Sequence, residues 1–251
     1  MECGGAKGVA RIVKLAPNLE QLRFSATRVK VEGAMALANA LLESGTTSLT
    51  SIDLSDNVLE NDTAELLREV LSKQPHLCTV NLEATFLGNE GVSNILNGIG
   101  EQAEALSKTL KHLVLSANDI CIEDEADVSC FQVLAQLEAL EEVSLDENEL
   151  RSLGGKVIFR ALRQHKHIKT LRLQQCELGA ACVPSLLRAM ETFRESLQTL
   201  ALDENYFSDD AMAALQGRLA DESFAHVTCE FELNDAECLS EPEDFADSEE
   251  E

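Results

Sequence analysis

The stretch LTSIDLSDNVL, Leu49–Leu59, decides the reading of the chain. Ile52 and Leu54 alternate with Ser51, Asp53 and Ser55, so a short strand here has one apolar face and one polar face. Asn57 follows where the chain must bend. Its side chain can both donate and accept, which a tight turn needs for its stranded backbone groups. The same arrangement recurs as LEQLRFSATRV from Leu19, LCTVNLEATFL from Leu77, LKHLVLSANDI from Leu110, LEEVSLDENEL from Leu140, IKTLRLQQCEL from Ile168 and LQTLALDENYF from Leu197. The spacings are 30, 28, 33, 30, 28 and 29 residues. Asn118, Asn148, Cys176 and Asn205 occupy the position of Asn57, while Thr27 and Thr85 depart from it but keep a hydroxyl.

This is the LxxLxLxx(N/C)xL pattern of leucine-rich repeats. Each bend is followed by apolar residues at helical spacing, such as Ala34, Leu37, Ala38 and Leu41, then Leu66, Leu67, Val70 and Leu71. A strand of about six residues, a helix of about twelve and two turns fill such a period, so a full α-helix is expected in each repeat. One unit cannot bury its apolar face alone; stacked units can, at ~1.5–3 kcal/mol per buried Leu or Ile before entropy is subtracted. The expected fold is an α/β solenoid, a ribonuclease-inhibitor-like horseshoe with parallel strands on the concave face and helices on the convex face.

The two ends read differently. Residues 5–15 look like the helix of a repeat whose strand is missing, which suggests a trimmed start. In HVTCEFEL, Val227, Cys229 and Phe231 alternate with polar residues and predict a last strand. Two segments are expected: a repeat domain over residues 1–233, and an acidic, disordered tail over 234–251. The long third spacing points to an insertion around Glu101–Lys108 that lengthens the helix or the loop after it.

The chain carries 45 acidic and 20 basic residues, a net charge of −25. Residues 219–251 hold 13 of the acids and no Lys or Arg. Such a surface repels phosphate backbones and anionic lipid, and attracts a basic partner. No apolar run is long enough to span a membrane. Residues 1–18 lack the apolar stretch of a signal peptide, so the eight cysteines are expected to be free thiols, and the location cytoplasmic.

No GxxxxGK[ST], GxSxG, HExxH or GxGxxG motif is present, and the five histidines show no nucleophile or metal spacing. No cofactor or metal is expected. Function then falls to the outward strand positions, since solenoids bind through their concave face. These run from Gln21, Arg23 and Ser25, through Asp53, Glu83, His112, Ser116, Glu142, Ser144 and Asp146, to Arg172, Ala201 and Asp203, and are acidic on balance.

The stretch LRFSATRVKVEGAMALANAL, Leu22–Leu41, resembles the catalytic repeat of the Ran GTPase-activating proteins, with the plant-type members most similar. LSDNVLEND, LVLSANDI, LDENEL and the acidic tail also look like that family. The resemblance implies an activator with no active site of its own. Arg28 matches the family's important arginine. It would anchor the switch region of a Ran-type GTPase in its GTP form, whose own catalytic residues are thereby ordered. Lys30, Asp53, Asp56, Asn57, Glu83, Thr85 and Asp146 are the expected partner contacts. The cytoplasmic side of the nuclear envelope is one location it implies. Ala84 and Thr85 stand where some members carry an Asn that contacts the GTPase. The alternative is a non-catalytic repeat scaffold or inhibitor.

Overall fold

The computed structural model describes residues 3–231 and 234. Eight parallel strands form one sheet in chain order: β1 (Gln21–Arg23), β2 (Ser51–Asp53), β3 (Thr79–Asn81), β4 (His112–Val114), β5 (Glu142–Ser144), β6 (Thr170–Arg172), β7 (Thr199–Ala201) and β8 (Thr228–Glu230). Register is strict: Leu22, Ile52, Val80, Leu113, Val143, Leu171, Leu200 and Cys229 stand side by side and point into the stack. The strands span three residues rather than about six, but pairing continues past them. The Phe24 amide donates to the Asp53 carbonyl at 2.8 Å, and the Ala26 amide to that of Ser55 at 2.9 Å.

Helices α1 (Cys3–Val13), α2 (Val31–Ser44), α3 (Glu60–Leu71) and α4 (Gly88–Gly100) cover one side of the first repeats. Short α5 (Ala103–Leu106) occupies the predicted insertion as a separate helical turn inside the lengthened loop. Further along come α6 (Glu125–Val128), α7 (Arg151–Leu162), α8 (Val183–Phe193) and α9 (Asp209–Leu219). The core is one continuous apolar cluster between sheet and helices, mostly aliphatic but including Phe131, Phe159, Phe193, Phe207 and Phe224, with Leu49, Leu77, Leu110, Leu140, Ile168 and Leu197 fully buried. No described helix is long and apolar enough to cross a membrane.

The fourth repeat corrects the expectation of a full α-helix in every unit. After four α-helical residues capped by the Asp124 side chain, Ser129–Gln136 continue as a 3-10 helix. The sequence explains this. Val128, Phe131, Leu134 and Leu137 recur every three residues and are all buried. A three-per-turn helix aligns them on one face, whereas an α-helix would swing them off it.

The predicted last strand is present as β8. The expected boundary at 233/234 falls beside a residue of the asparagine series. Asn234 sits 29 residues after Asn205 and repeats its role: its Oδ1 accepts from the Asn205 amide at 3.1 Å, and its Nδ2 donates to the Phe231 carbonyl at 2.6 Å. The rest of the expected acidic tail lies outside the described residues.

Candidate functional site

The bend after each strand is built by the asparagines. Asn118 Nδ2 donates to the carbonyls of Leu82, Leu115 and Ser116 at 2.7, 3.0 and 3.1 Å. Its Oδ1 accepts from the amide and hydroxyl of Thr85, at 3.2 and 2.8 Å, and from the Leu87 amide. Asn57, Asn148 and Asn205 make the same kind of set. Each repeat therefore holds the bend of the repeat before it.

In the first six bends the backbone conformation tracks that coupling, whereas Tyr206, followed one repeat later by Asn234, is not left-handed. The residue just before the asparagine position is left-handed in all seven bends: Ala26, Asp56, Ala84, Ala117, Glu147, Gln175 and Glu204. The residue just after it is left-handed at Arg28, Phe86, Asp119 and Glu177, and in each case the next repeat supplies an Asn: Asn57, Asn118, Asn148 and Asn205. Where the next repeat supplies Thr85 or Cys176, the left-handed residue moves on to Glu60 or Arg151. There the amides of Glu60 and Arg151 reach the backbone carbonyls of Thr85 and Cys176, as the amide of Gly88, left-handed as well as Phe86, reaches that of Asn118. Arg28 thus takes its φ of 52° from the fold's own turn.

Arg28 is exposed on this strand-exit rim and makes no hydrogen bond or ion pair with the described residues, and the Lys30 side chain beside it is equally unengaged. Asp56 and Glu83 are exposed on the same rim. Asp53 and Asp146 are half-buried on the sheet face and are partly spent. Asp53 accepts from the Ser55 hydroxyl at 2.7 Å and lies 3.4 Å from Arg23. Asp146 accepts from Arg172 Nε at 2.7 Å and from the Gln174 amide at 2.8 Å.

Asn57 and Thr85 correct the expectation of partner contacts at those positions. Both are buried, and Thr85 spends its hydroxyl on the Leu82 carbonyl and Asn118. Their polar groups are consumed by backbone, so they set the shape of the rim and leave contact to their neighbours. Ser116, Ser144 and Ala201, expected to face outward, are also buried, and the two serine hydroxyls bond each other at 2.8 Å.

The concave face carries a groove of about 570 Å³ bordered by Glu83, Glu142, Asp146, Arg172 and Glu204. Its basic side chains are already engaged: His112 Nδ1 lies 2.9 Å from Glu142, and Arg172 is held by Asp146. A second groove of about 830 Å³ runs along the strand exits of the later repeats, lined by Asp119, Glu147, Glu177, Glu204 and Tyr206. Asp56, Glu83, Asp119 and Glu147 make no ion pair among the described residues. The rim is therefore an anionic strip, with Arg28 near its start engaged by none of the described residues.

The thiols of Cys130 and Cys121 are both shifted upward. Burial pushes Cys130 up to about 11, and Cys121 is raised chiefly because it donates to the Glu149 carboxylate at 3.1 Å. All six cysteines assigned among the described residues are free. No described group of three His, Cys, Asp or Glu is placed to hold a metal ion. Sequence reasoning missed Phe86, which is 53% exposed on the rim. The signal was available: Phe follows the asparagine position in LEATFL, where the first, fourth and sixth repeats carry Arg28, Asp119 and Glu177.

No family model matches the chain. Among curated proteins it is similar to human NACHT, LRR and PYD domains-containing protein 5, 28% identical over 210 residues, which is 82% of this chain and 17% of that protein. Mouse ribonuclease inhibitor is 26% identical over 201 residues, 78% of this chain and 42% of the inhibitor. The chain thus spans less than half the length of these curated relatives. Among solved structures, an internalin (inlF) from Listeria monocytogenes superposes with a TM-score of 0.56 at 15% identity, covering 88% of this chain and 50% of the internalin. The ectodomain of the Arabidopsis receptor kinase HAESA gives 0.50 at 16%, covering 87% and 34%. These structures share the fold alone. The chain is a leucine-rich-repeat protein whose repeats are most simply compared with those of ribonuclease inhibitor.

Proposed function

We propose that this chain is a protein-binding scaffold that receives a cationic partner on its concave sheet and strand-exit rim. The observation that carries the reading is the row of carboxylates at Asp56, Glu83, Asp119 and Glu147, without ion pairs among the described residues, on bends fixed by the asparagine ladder. A preordered anionic surface speeds encounter with a basic protein and loses little entropy on docking. Ribonuclease inhibitor, by its name, acts on a ribonuclease, so a basic ribonuclease is one partner class to offer this chain. The free cysteines suit a reducing compartment, which the reading takes to be the cytoplasm.

The test is charge reversal on two faces. The intact chain, immobilised at about 0.15 M salt, is offered a basic ribonuclease and, separately, cell extract. Glu147→Lys with Glu204→Lys on the rim removes retained partners; Glu65→Lys with Glu195→Lys, which alter exposed residues of α3 and the turn after α8, leaves them bound. Equal loss from both pairs marks simple ion exchange and sinks the reading.

A second reading rests on its own observation. Arg28 is exposed and without a partner among the described residues, and the bonds on either side of it go to Asn57. In that reading the chain stimulates a Ran-type GTPase in its GTP form. Arg28, with Lys30, Asp53, Asp56, Glu83 and Asp146, docks on the GTPase and orders the GTPase's own catalytic groups. An arginine-dependent activator can raise turnover by up to ~10⁵-fold. Single-turnover GTP hydrolysis is measured with and without the intact chain, then with Arg28→Ala. Acceleration that Arg28→Ala abolishes supports this reading; none from the intact chain removes it and leaves the scaffold.

A further inference from the structure

We infer that Phe86 is the apolar anchor of a docking patch on the strand-exit rim, fitted to a polypeptide partner that presents an apolar socket flanked by Lys or Arg. The inference rests on the protein-binding reading above and narrows it to one point.

Neither packing nor turn chemistry accounts for a phenylalanine here. The ring is 53% exposed; the other strongly exposed large apolar side chains among the described residues, Ile12 and Leu15, lie in or just after α1, away from this rim. The backbone is left-handed, with φ 59°, a conformation bulky side chains disfavour. Where the equivalent residue is also left-handed it is polar, at Arg28, Asp119 and Glu177, and the other repeats carry Val58, Glu149 and Tyr206 there, the first and last of them half-buried, so the turn places no demand for an exposed aromatic. Asn118 holds the residues on both sides, through the Thr85 amide at 3.2 Å and the Leu87 amide at 3.4 Å. The ring therefore projects from a fixed turn, which lowers the ordering cost when a partner closes over it. Aromatic side chains so placed are the usual anchors of protein interfaces.

Charge selects the occupant. Glu83 lies three residues before the ring, Asp56 in the preceding repeat and Asp119 in the next; all three are exposed and without ion pairs among the described residues. The Asp56 amide donates to the Glu83 carbonyl at 2.9 Å, which fixes the two bends side by side. A second copy of this chain brings its own net charge of −25 to the same place and is repelled. A socket ringed by cations is attracted. Arg28, in the same row two repeats earlier and hence about 10 Å away, borders the patch and takes an acceptor from the partner.

The test uses a phage-displayed library of randomised peptides panned on the full chain at about 0.15 M salt. Each enriched peptide is then titrated against the wild type, Phe86→Asn, Glu195→Lys and the double variant Glu147→Lys with Glu204→Lys. Asn accepts a left-handed backbone, so Phe86→Asn removes the ring and keeps the turn, which an unchanged Tm verifies. The expected peptides pair large apolar residues with Lys or Arg. They lose roughly tenfold or more in affinity on Phe86→Asn, and keep it on Glu195→Lys. Cationic peptides that bind Phe86→Asn undiminished but fail on Glu147→Lys with Glu204→Lys overturn the anchor and leave the scaffold reading standing. Anionic peptides, or none, overturn both.

Discussion

The Asn57 side chain holds Thr27 across the step between the first two repeats: the Thr27 hydroxyl donates to Asn57 Oδ1 at 2.8 Å. The Val29 amide donates to the same oxygen at 3.0 Å, so one side chain grips the residues on both sides of Arg28. The Nδ2 group meanwhile reaches the carbonyls of Phe24, Leu54 and Ser55. Asn57 links the stability of the stack to the presentation of the arginine.

Asn57→Ala strands the amide of Val29 and the carbonyls of Phe24 and Leu54. Its expected cost is about 2–4 kcal/mol in urea unfolding, the range for several buried polar groups left unmet. The Arg28 bend loosens with it, so any partner affinity that needs Arg28 falls too. An undiminished midpoint would show that the ladder carries little of the stability.

Arg28→Ala separates site from fold. The side chain is exposed and touches no described partner, so Tm is expected to stay within about 1–2 °C of the wild type. Loss of partner binding or of GTPase stimulation at unchanged Tm identifies a docking residue; a drop of several degrees places it in the fold.

Packing between α3 and α4 depends on a missing methyl group. A Cβ at Gly98 would lie 2.7 Å from the Arg68 carbonyl oxygen and 2.9 Å from its Cα, both rigid backbone atoms. Although Ala is the better helix former, Gly98→Ala is expected to destabilise by about 1–3 kcal/mol through overpacking. Thermal unfolding decides; a raised Tm would show that the two helices part freely.

Acid stability should fall in two windows. Burial lowers the pKa of His165, whose Nε2–H donates to the Leu137 carbonyl at 3.0 Å while Nδ1 is buried without a partner. The unfolded chain, with an imidazole near ~6.5, takes the proton more readily than the folded one. Stability is full above that value and declines as pH falls below it. Glu141 is held down to about 2, first by the hydrogen bond from Lys111 and then by that from Lys169. Its contribution is present above the ordinary value of 4.5 and disappears between there and about 2. Urea midpoints across pH should therefore show an upper and a lower decline, and His165→Leu should erase only the upper one. A wild type that is flat from pH 7 to 5 contradicts the assignment.

Much of this architecture can be read from LTSIDLSDNVL and its copies, because the strand alternation and the asparagine position are local in sequence. The 3-10 segment was legible too, in the three-residue spacing of Val128, Phe131, Leu134 and Leu137, although a template of one α-helix per repeat hides it. Asn234 was obscured by the acidic residues around it, where composition outweighs a single correctly spaced Asn. A period-2 pattern turns Ser116, Ser144 and Ala201 outward and does not encode their burial. The rim is the least legible part. Whether Arg28 or Phe86 is presented depends on the Asn of the following repeat, about thirty residues away, and on which neighbouring charges are already paired.

Amide hydrogen exchange on the intact chain, with and without the partner recovered in the charge-reversal experiment, tests the central claim most directly. The account predicts that partner binding slows exchange in the strand-exit bends, around residues 26–30, 56–60, 84–88, 117–121 and 147–151. The outer faces of α2, α3, α7 and α8 keep their free rates. Protection confined to those helices, with the bends unchanged, would contradict it.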